Sequence, residues 1–80
     1  MKVQILGTGC AKCKALEQKI RLLNEQNTLN LEIEKVTELQ EIMKYGVMMT
    51  PGLVIDGVLK SVGSIPKDDK LLEWFKGNQS

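Results

Sequence analysis

Both cysteines of the chain stand in one stretch, GTGCAKCK from Gly7 to Lys14, directly after the short apolar run of Val3, Ile5 and Leu6. This stretch constrains the fold because the hydrophobic period changes across it. Before it, the apolar residues do not alternate cleanly with polar ones, as expected for a central strand covered on both faces. After it, Cys13, Leu16, Ile20 and Leu23 recur at steps of three and four, the buried stripe of a helix that begins near Cys10 and ends around Asn24 to Asn27. Gly7, Thr8 and Gly9 turn the chain between the two. Cys10 and Cys13 therefore fall at i and i+3 on one face of the first helical turn, where their sulfurs can meet.

The remaining elements follow from local patterns. Leu31 to Val36 alternates apolar and charged residues, the pattern of a half-exposed edge strand whose charges discourage edge pairing. Thr37 with Gln40 three residues on is a capping-box pattern, predicting a short helix that runs to Tyr45, is capped by Gly46, and turns Leu39, Ile42 and Met43 inward. Leu53 to Ile55 is solidly apolar, Asp56-Gly57 is a two-residue hairpin signal, and Val58 to Val62 forms the returning strand. Pro66 suits the first turn of a last helix, with Ser64 as a cap, Leu71, Leu72 and Phe75 as the buried face, and Gly77 as the stop. Residues 78–80 read as a disordered tail. The order is βαβαββα. Right-handed crossover makes the first two strands parallel and the hairpin adds antiparallel strands, giving an α/β fold with a four-stranded mixed sheet and helices on both faces.

Eighty residues make a single domain, 1–80, close to the size at which a core only just offsets chain entropy. The net charge of +1, with lysines and glutamates interspersed, gives no reason to expect nucleic acid or an anionic membrane as partner. The opening MKVQILG is too short in apolar residues for a signal-peptide core, and no apolar run is long enough to cross a bilayer, so a cytoplasmic protein is expected. In that reducing compartment a cysteine pair is more often catalytic or metal-binding than a structural staple.

The spacing points to thiol–disulfide exchange. Cys13 shares the apolar stripe and should be drawn inward, whereas Cys10 precedes the first full turn and should be exposed. Cys10 is thus expected to attack and Cys13 to resolve. The unpaired N–H groups of a helix start favour a thiolate at Cys10, and Lys12 and Lys14 add positive charge nearby. The plainer alternative is that both cysteines pack as small apolar residues. It suits Cys13 alone better than a pair flanked by glycines and lysines at a strand-to-helix turn.

A second segment, MMTPGLVIDG from Met48 to Gly57, sets Thr50-Pro51 immediately before an apolar strand, where a cis proline can make a tight turn. With GTGCAKC and TPGLVIDG together, the chain resembles the thioredoxin and glutaredoxin superfamily, and most closely its small archaeal and bacterial redox-active disulfide proteins. The resemblance covers essentially all 80 residues. It implies a thioredoxin-like, glutaredoxin-type three-layer fold with sheet order 2-1-3-4 and the first and third helices on one face. It also implies that Pro51 is cis beside the disulfide and keeps a metal from the sulfurs, and that the backbone of Thr50 pairs with the substrate's extended chain. Catalysis would rest on Cys10 and Cys13, substrate binding on Thr50 and Pro51, with Gly9, Lys12 and Lys14 in support and no metal or organic cofactor. Client protein disulfides and a reductase are the implied partners, and a monomer is the expectation. The chain departs from thioredoxins in having no Trp before Cys10, Ala11-Lys12 between the cysteines, Gln4 but no carboxylate in the first strand, and no histidine. General disulfide reductase activity is therefore expected to be weak or specialised.

Two rival readings use the same residues. GTGCAKC also resembles the metal loop of heavy-metal-associated domains, which bind Cu(I) through paired thiolates, and Met48 and Met49 would then be soft ligands. Those domains, however, are built from two similar strand-helix-strand halves, and the methionines are more simply an apolar rim. The other reading is an interaction module docking through Leu71, Trp74 and Phe75. Leu71 and Phe75 at i and i+4 are more simply core contacts, with Trp74 partly exposed.

Overall fold

The apolar opening run becomes β1 (Lys2–Leu6), an inner strand of the sheet in the computed structural model, which describes residues 1–76. The expected helix stop at Gly77 and the tail at 78–80 lie outside the described residues. Six further elements follow: α1 (Ala11–Asn27), β2 (Glu32–Val36), α2 (Leu39–Lys44), β3 (Gly52–Ile55), β4 (Val58–Val62) and α3 (Asp68–Lys76). The sheet order is β2-β1-β3-β4, with β1 parallel to β2 and antiparallel to β3. The two most apolar strands, β1 and β3, take the inner positions. The charged β2 and the mixed β4 take the edges, where backbone groups face water.

Strand alternation sends the two faces of the sheet to different helices. Val3 and Ile5 of β1 and Leu53 and Ile55 of β3 pack beneath Leu16, Ile20 and Leu23 of α1 and Leu71 and Phe75 of α3. Leu6 and Val54 point to the other face, where they meet Ile42 of α2 and Val47. Gln4 shares that second face. Its amide donates to Glu34 (3.0 Å) and accepts from the Tyr45 hydroxyl (3.1 Å), so it bridges β1, β2 and the end of α2. α1 and α3 are tied at both ends of their contact: Lys19 Nζ donates to the Pro66 carbonyl and pairs with Asp68 (3.0 Å), and Lys76 Nζ donates to Asn27 Oδ1 (3.2 Å). Trp74 is half-buried against the same core, with the Lys70 ammonium 5.8 Å from its ring centroid. Among the described residues no helix is long and apolar enough to cross a membrane.

The hairpin forms as its sequence predicts. Asp56 (φ 48°) and Gly57 (φ 83°) occupy the two left-handed positions of a tight two-residue turn, and Ile55 pairs with Val58. Asp56 is tied to the first strand as well, its N–H donating to the Lys2 carbonyl and its carboxylate accepting from the Lys2 N–H, both at 2.8 Å. An irregularity at Leu53/Val54 shifts the β3–β4 register.

Two helix starts and one helix face differ from expectation. α2 begins at Leu39 behind Glu38, which makes no side-chain capping bond, so the Thr37–Gln40 box is not formed. Only Ile42 is buried on this helix, while Leu39 and Met43 are 62% and 63% exposed. A helix of six residues presents one inward position to the sheet, and Val47, just beyond the left-handed Gly46, fills the next. α3 likewise starts after Pro66 and Ser64, its first turn closed by the Leu71 N–H on the Lys67 carbonyl (3.0 Å). Asp68 and Asp69 then lie in the first turn, where the helix dipole favours them, and Ser64 is left as an exposed loop residue.

The two faces of α2 separate cleanly by mutation. Ile42→Ala should cost about 2–5 kcal/mol in urea unfolding. Leu39→Ala should stay within about 0.5 kcal/mol, and an equal loss at both positions would place Leu39 in the core after all.

Candidate active site

Cys10 is the N-cap of α1, extended in backbone (φ −68°, ψ 166°), with its carbonyl accepting the Lys14 N–H at 3.0 Å. Its Sγ accepts the Cys13 N–H at 3.2 Å, the position an N-cap oxygen takes in an ordinary helix. The two cysteines form a disulfide with their Cα atoms 5.1 Å apart, inside the usual range. Cys13 is buried, 6% exposed, in line with Leu16 and Ile20. Cys10 is half-buried, less open than its place ahead of the helix suggests, because Thr50 approaches it from the other side: the Thr50 hydroxyl donates to Cys10 Sγ at 3.8 Å.

The turn between strand and helix is shaped by two glycines with different tasks. Gly9 has φ 93°, a left-handed conformation that brings the chain round into Cys10. Gly7 is buried at the end of β1, its N–H donating to the Val36 carbonyl at 2.9 Å, and a Cβ placed there would collide with the Cys13 sulfur. The absence of a side chain at position 7 is thus what lets Cys13 Sγ lie against the strand. Across the disulfide, the Thr50–Pro51 peptide is cis, and Pro51 is buried with its carbonyl accepting the Gly63 N–H at 2.8 Å. Gly63 in turn packs against Met49. Met48, 96% exposed, and Met49 form the open apolar lip ahead of Thr50.

Lys12 and Lys14 are exposed in the first turn of α1, which carries no acidic residue. Lys14 also lines a cavity of about 60 Å³ behind the disulfide, together with Ile5, Gly7, Cys13, Glu17 and Lys35. Glu17 accepts from Arg21 Nε (2.9 Å) and lies 3.6 Å from Lys35 Nζ. The Arg21 hydrogen bond is the main reason the Glu17 carboxyl is held below its ordinary range; the Lys35 charge adds to this, and partial burial opposes it. No sequence motif marks Glu17 or Lys35. The signal for Glu17 is its spacing, one turn beyond Cys13; Lys35 comes to the site only through the pairing of β2 with β1. The order βαβαββα is not the doubled strand-helix-strand plan of a Cu(I) carrier, and among the described residues no third His, Cys, Asp or Glu joins the two sulfurs as a metal-holding group.

Comparison with known proteins agrees with this geometry. A family model described as thioredoxin domain matches residues 1–76. A thioredoxin of Methanothermobacter thermautotrophicus is 38% identical over 71 residues, covering 89% of this chain and 92% of that protein. A thioredoxin of Methanocaldococcus jannaschii is 35% identical over 74 residues, covering 92% and 85% respectively. Nothing in these likenesses supports the Cu(I)-carrier alternative.

Two outcomes follow from the packing and charge of the site. Gly7→Ala must displace Cys13, so it should lower stability by about 1–3 kcal/mol and slow closure of the disulfide, read by counting free thiols after addition of oxidant; unchanged closure would show the strand end to be permissive. Because the folded Glu17 carboxyl sits below its unfolded value, its stabilising contribution is complete above the ordinary value of about 4.3 and lost as pH falls through the depressed one. Urea midpoints of Glu17→Gln should accordingly fall less on acidification than those of the parent protein.

Proposed function

The chain belongs to the thioredoxin domain family and is a thiol–disulfide oxidoreductase, and on that premise we propose that Cys10 is its attacking thiol, Cys13 its resolving thiol, and a protein disulfide its substrate. The observation that supports the assignment best is the Cys13 N–H directed at Cys10 Sγ from the first turn of α1. In the reduced protein that donor, the other unpaired N–H groups of the helix start and the charges of Lys12 and Lys14 all favour a thiolate at Cys10. Cys13, buried against Gly7, is the thiol held back.

In the reducing direction the Cys10 thiolate attacks one sulfur of the client disulfide. The client bond breaks, a Cys10–client disulfide forms, and the second client sulfur leaves as a thiolate that takes up a proton. Cys13 then attacks Cys10 Sγ, the mixed disulfide breaks, and the client departs reduced by two electrons while Cys10–Cys13 is oxidised by two. The reverse sequence oxidises a dithiol client, and the relative potentials decide the direction. Closeness of the two sulfurs makes the second step intramolecular. A client chain laid in extended form along the backbone of Thr50, beside Pro51, would bring its sulfur to the Cys10 side. The exposed Met48 and Met49 offer an adaptable apolar lip for such a chain.

The reading calls for no metal and no organic cofactor. It places the protein, as a monomer, in the reducing cytoplasm between a reductase and its clients, where a pair of exchangeable thiols is useful and a structural disulfide would not last.

Cys13→Ser should accumulate a mixed disulfide with a disulfide-bonded client, visible by intact mass and released by dithiol, whereas Cys10→Ser should form none. Trapping by the Cys10→Ser protein would reverse the roles.

A further inference from the structure

Charge is spread unevenly over a chain whose net charge is only +1. Lys2, Lys19, Arg21, Lys35, Lys44 and Lys70 each pair with a carboxylate, whereas Lys12 and Lys14 have no ion-pair partner among the described residues. Both are exposed, one between the two cysteines and one directly after Cys13. Their place is unfavourable for the helix, because its dipole disfavours cations in the first turn. α2 and α3 follow that rule, with Glu41 or Asp68 and Asp69 at the start and Lys44 or Lys76 at the end, while the first turn of α1 has no acidic residue. Carboxylates elsewhere do not offset the two lysines. Glu17 is bound by Arg21 and Lys35, and Glu34, Glu38 and Glu41 border a separate hollow with Gln4 and Tyr45 on the α2 side. In the disulfide form Cys10 carries no charge, and in the reduced form one thiolate stands against two ammonium groups. A positive excess is therefore exposed beside Cys10 in both states.

Resting on the reading of Cys10 as the attacking thiol, we infer that Lys12 and Lys14 make the rim of the site selective for acidic clients, protein disulfides with Asp or Glu beside the cysteine that Cys10 attacks. Thr50 stands on one side of Cys10 and the first turn of α1 on the other. A client chain laid along Thr50 therefore carries the residues next to its cysteine past this turn, within reach of two long ammonium side chains. Carboxylates at those client positions meet unpaired opposite charge, and lysines there meet like charge. Such pairs form in water, so they act chiefly on the rate of encounter and are screened by salt. Met48 and Met49, on the segment leading into Thr50, are exposed and uncharged and make no such distinction. The apolar lip thus accommodates a client chain of any charge, and the two lysines sort among the chains it accommodates.

The test uses Cys13→Ser, in which only the first attack is read, and three disulfide peptides that differ only in having Glu, Gln or Lys on both sides of the cysteine. Each rate of mixed-disulfide formation is divided by that of the same peptide with mercaptoethanol, which removes the effect of the flanking charge on the peptide's own sulfur. At low ionic strength the Glu peptide is expected to react about tenfold faster than the Lys peptide, the lower end for steered association, with the Gln peptide between them. Raising the ionic strength from about 0.01 M to about 1 M, which shortens the Debye length from about 30 Å to about 3 Å, should bring the three rates together. Adding Lys12→Gln and Lys14→Gln should bring the ratio close to one already at low ionic strength. Adding Lys70→Gln and Lys76→Gln instead, two charges lost from α3, should leave the ratio in place. Equal rates at low ionic strength before the lysines are changed, or an equal loss of the ratio with the α3 pair, overturns the inference. So does a Lys12/Lys14 variant that slows all three peptides by one factor and keeps the ratio, since the lysines then serve the thiolate alone. If no peptide reacts with Cys13→Ser, the cysteine roles themselves fall, a result distinct from equal reaction with all three.

Discussion

Contact between the Cys13 sulfur and the bare backbone of Gly7 sets the geometry around it. It fixes how far α1 stands from the end of β1, and so where the helix begins. With Cys13 pressed against the strand, the residue three positions earlier falls at the N-cap, and its sulfur meets the first-turn N–H that a serine or aspartate oxygen would otherwise take. The same contact leaves Cys13 inside and Cys10 at the edge. A difference in reactivity between two identical side chains thus comes from packing one of them against a position with no side chain.

The core is arranged so that this joint does not give. β1 and β3, the inner strands, are covered by α1 and α3 on one face and by α2 with Val47 on the other. The two ties between α1 and α3, at Lys19 and at Lys76, hold the redox helix along its length. The second face is thinner. Its helix is short and contributes one buried side chain, and a polar bridge through Gln4 and Tyr45 completes it. Leu39 and Met43 stay in water, as do Met48 and Met49 on the segment leading into Thr50.

Most of the architecture was legible in the sequence, for reasons that differ by element. The change of hydrophobic period across Gly7 to Cys10 announces β1 and α1, and Asp56-Gly57 announces the hairpin, because each is a local steric requirement. The start of α2 falls one residue and that of α3 two residues beyond the sequence expectation, since caps compete with tertiary packing: Thr37 could have capped α2, but Glu38 takes the N-cap position and the helix begins at Leu39. At the site, Cys10 and Cys13 were readable from spacing. Gly7 was readable only as a turn residue, and its contact with sulfur needed the folded chain. Glu17 and Lys35 lie outside any motif, as one arrives by helical repeat and the other by strand pairing, and no local pattern says that they meet.

The Lys76–Asn27 hydrogen bond puts the end of α3 beside the end of α1 opposite Cys10. A helix of 17 residues rises about 25 Å, so Trp74, two residues before Lys76, sits toward the end of α1 away from the sulfurs. Its emission therefore reports the packing of the core between α1 and α3, an optical signal of unfolding set apart from the site of electron transfer.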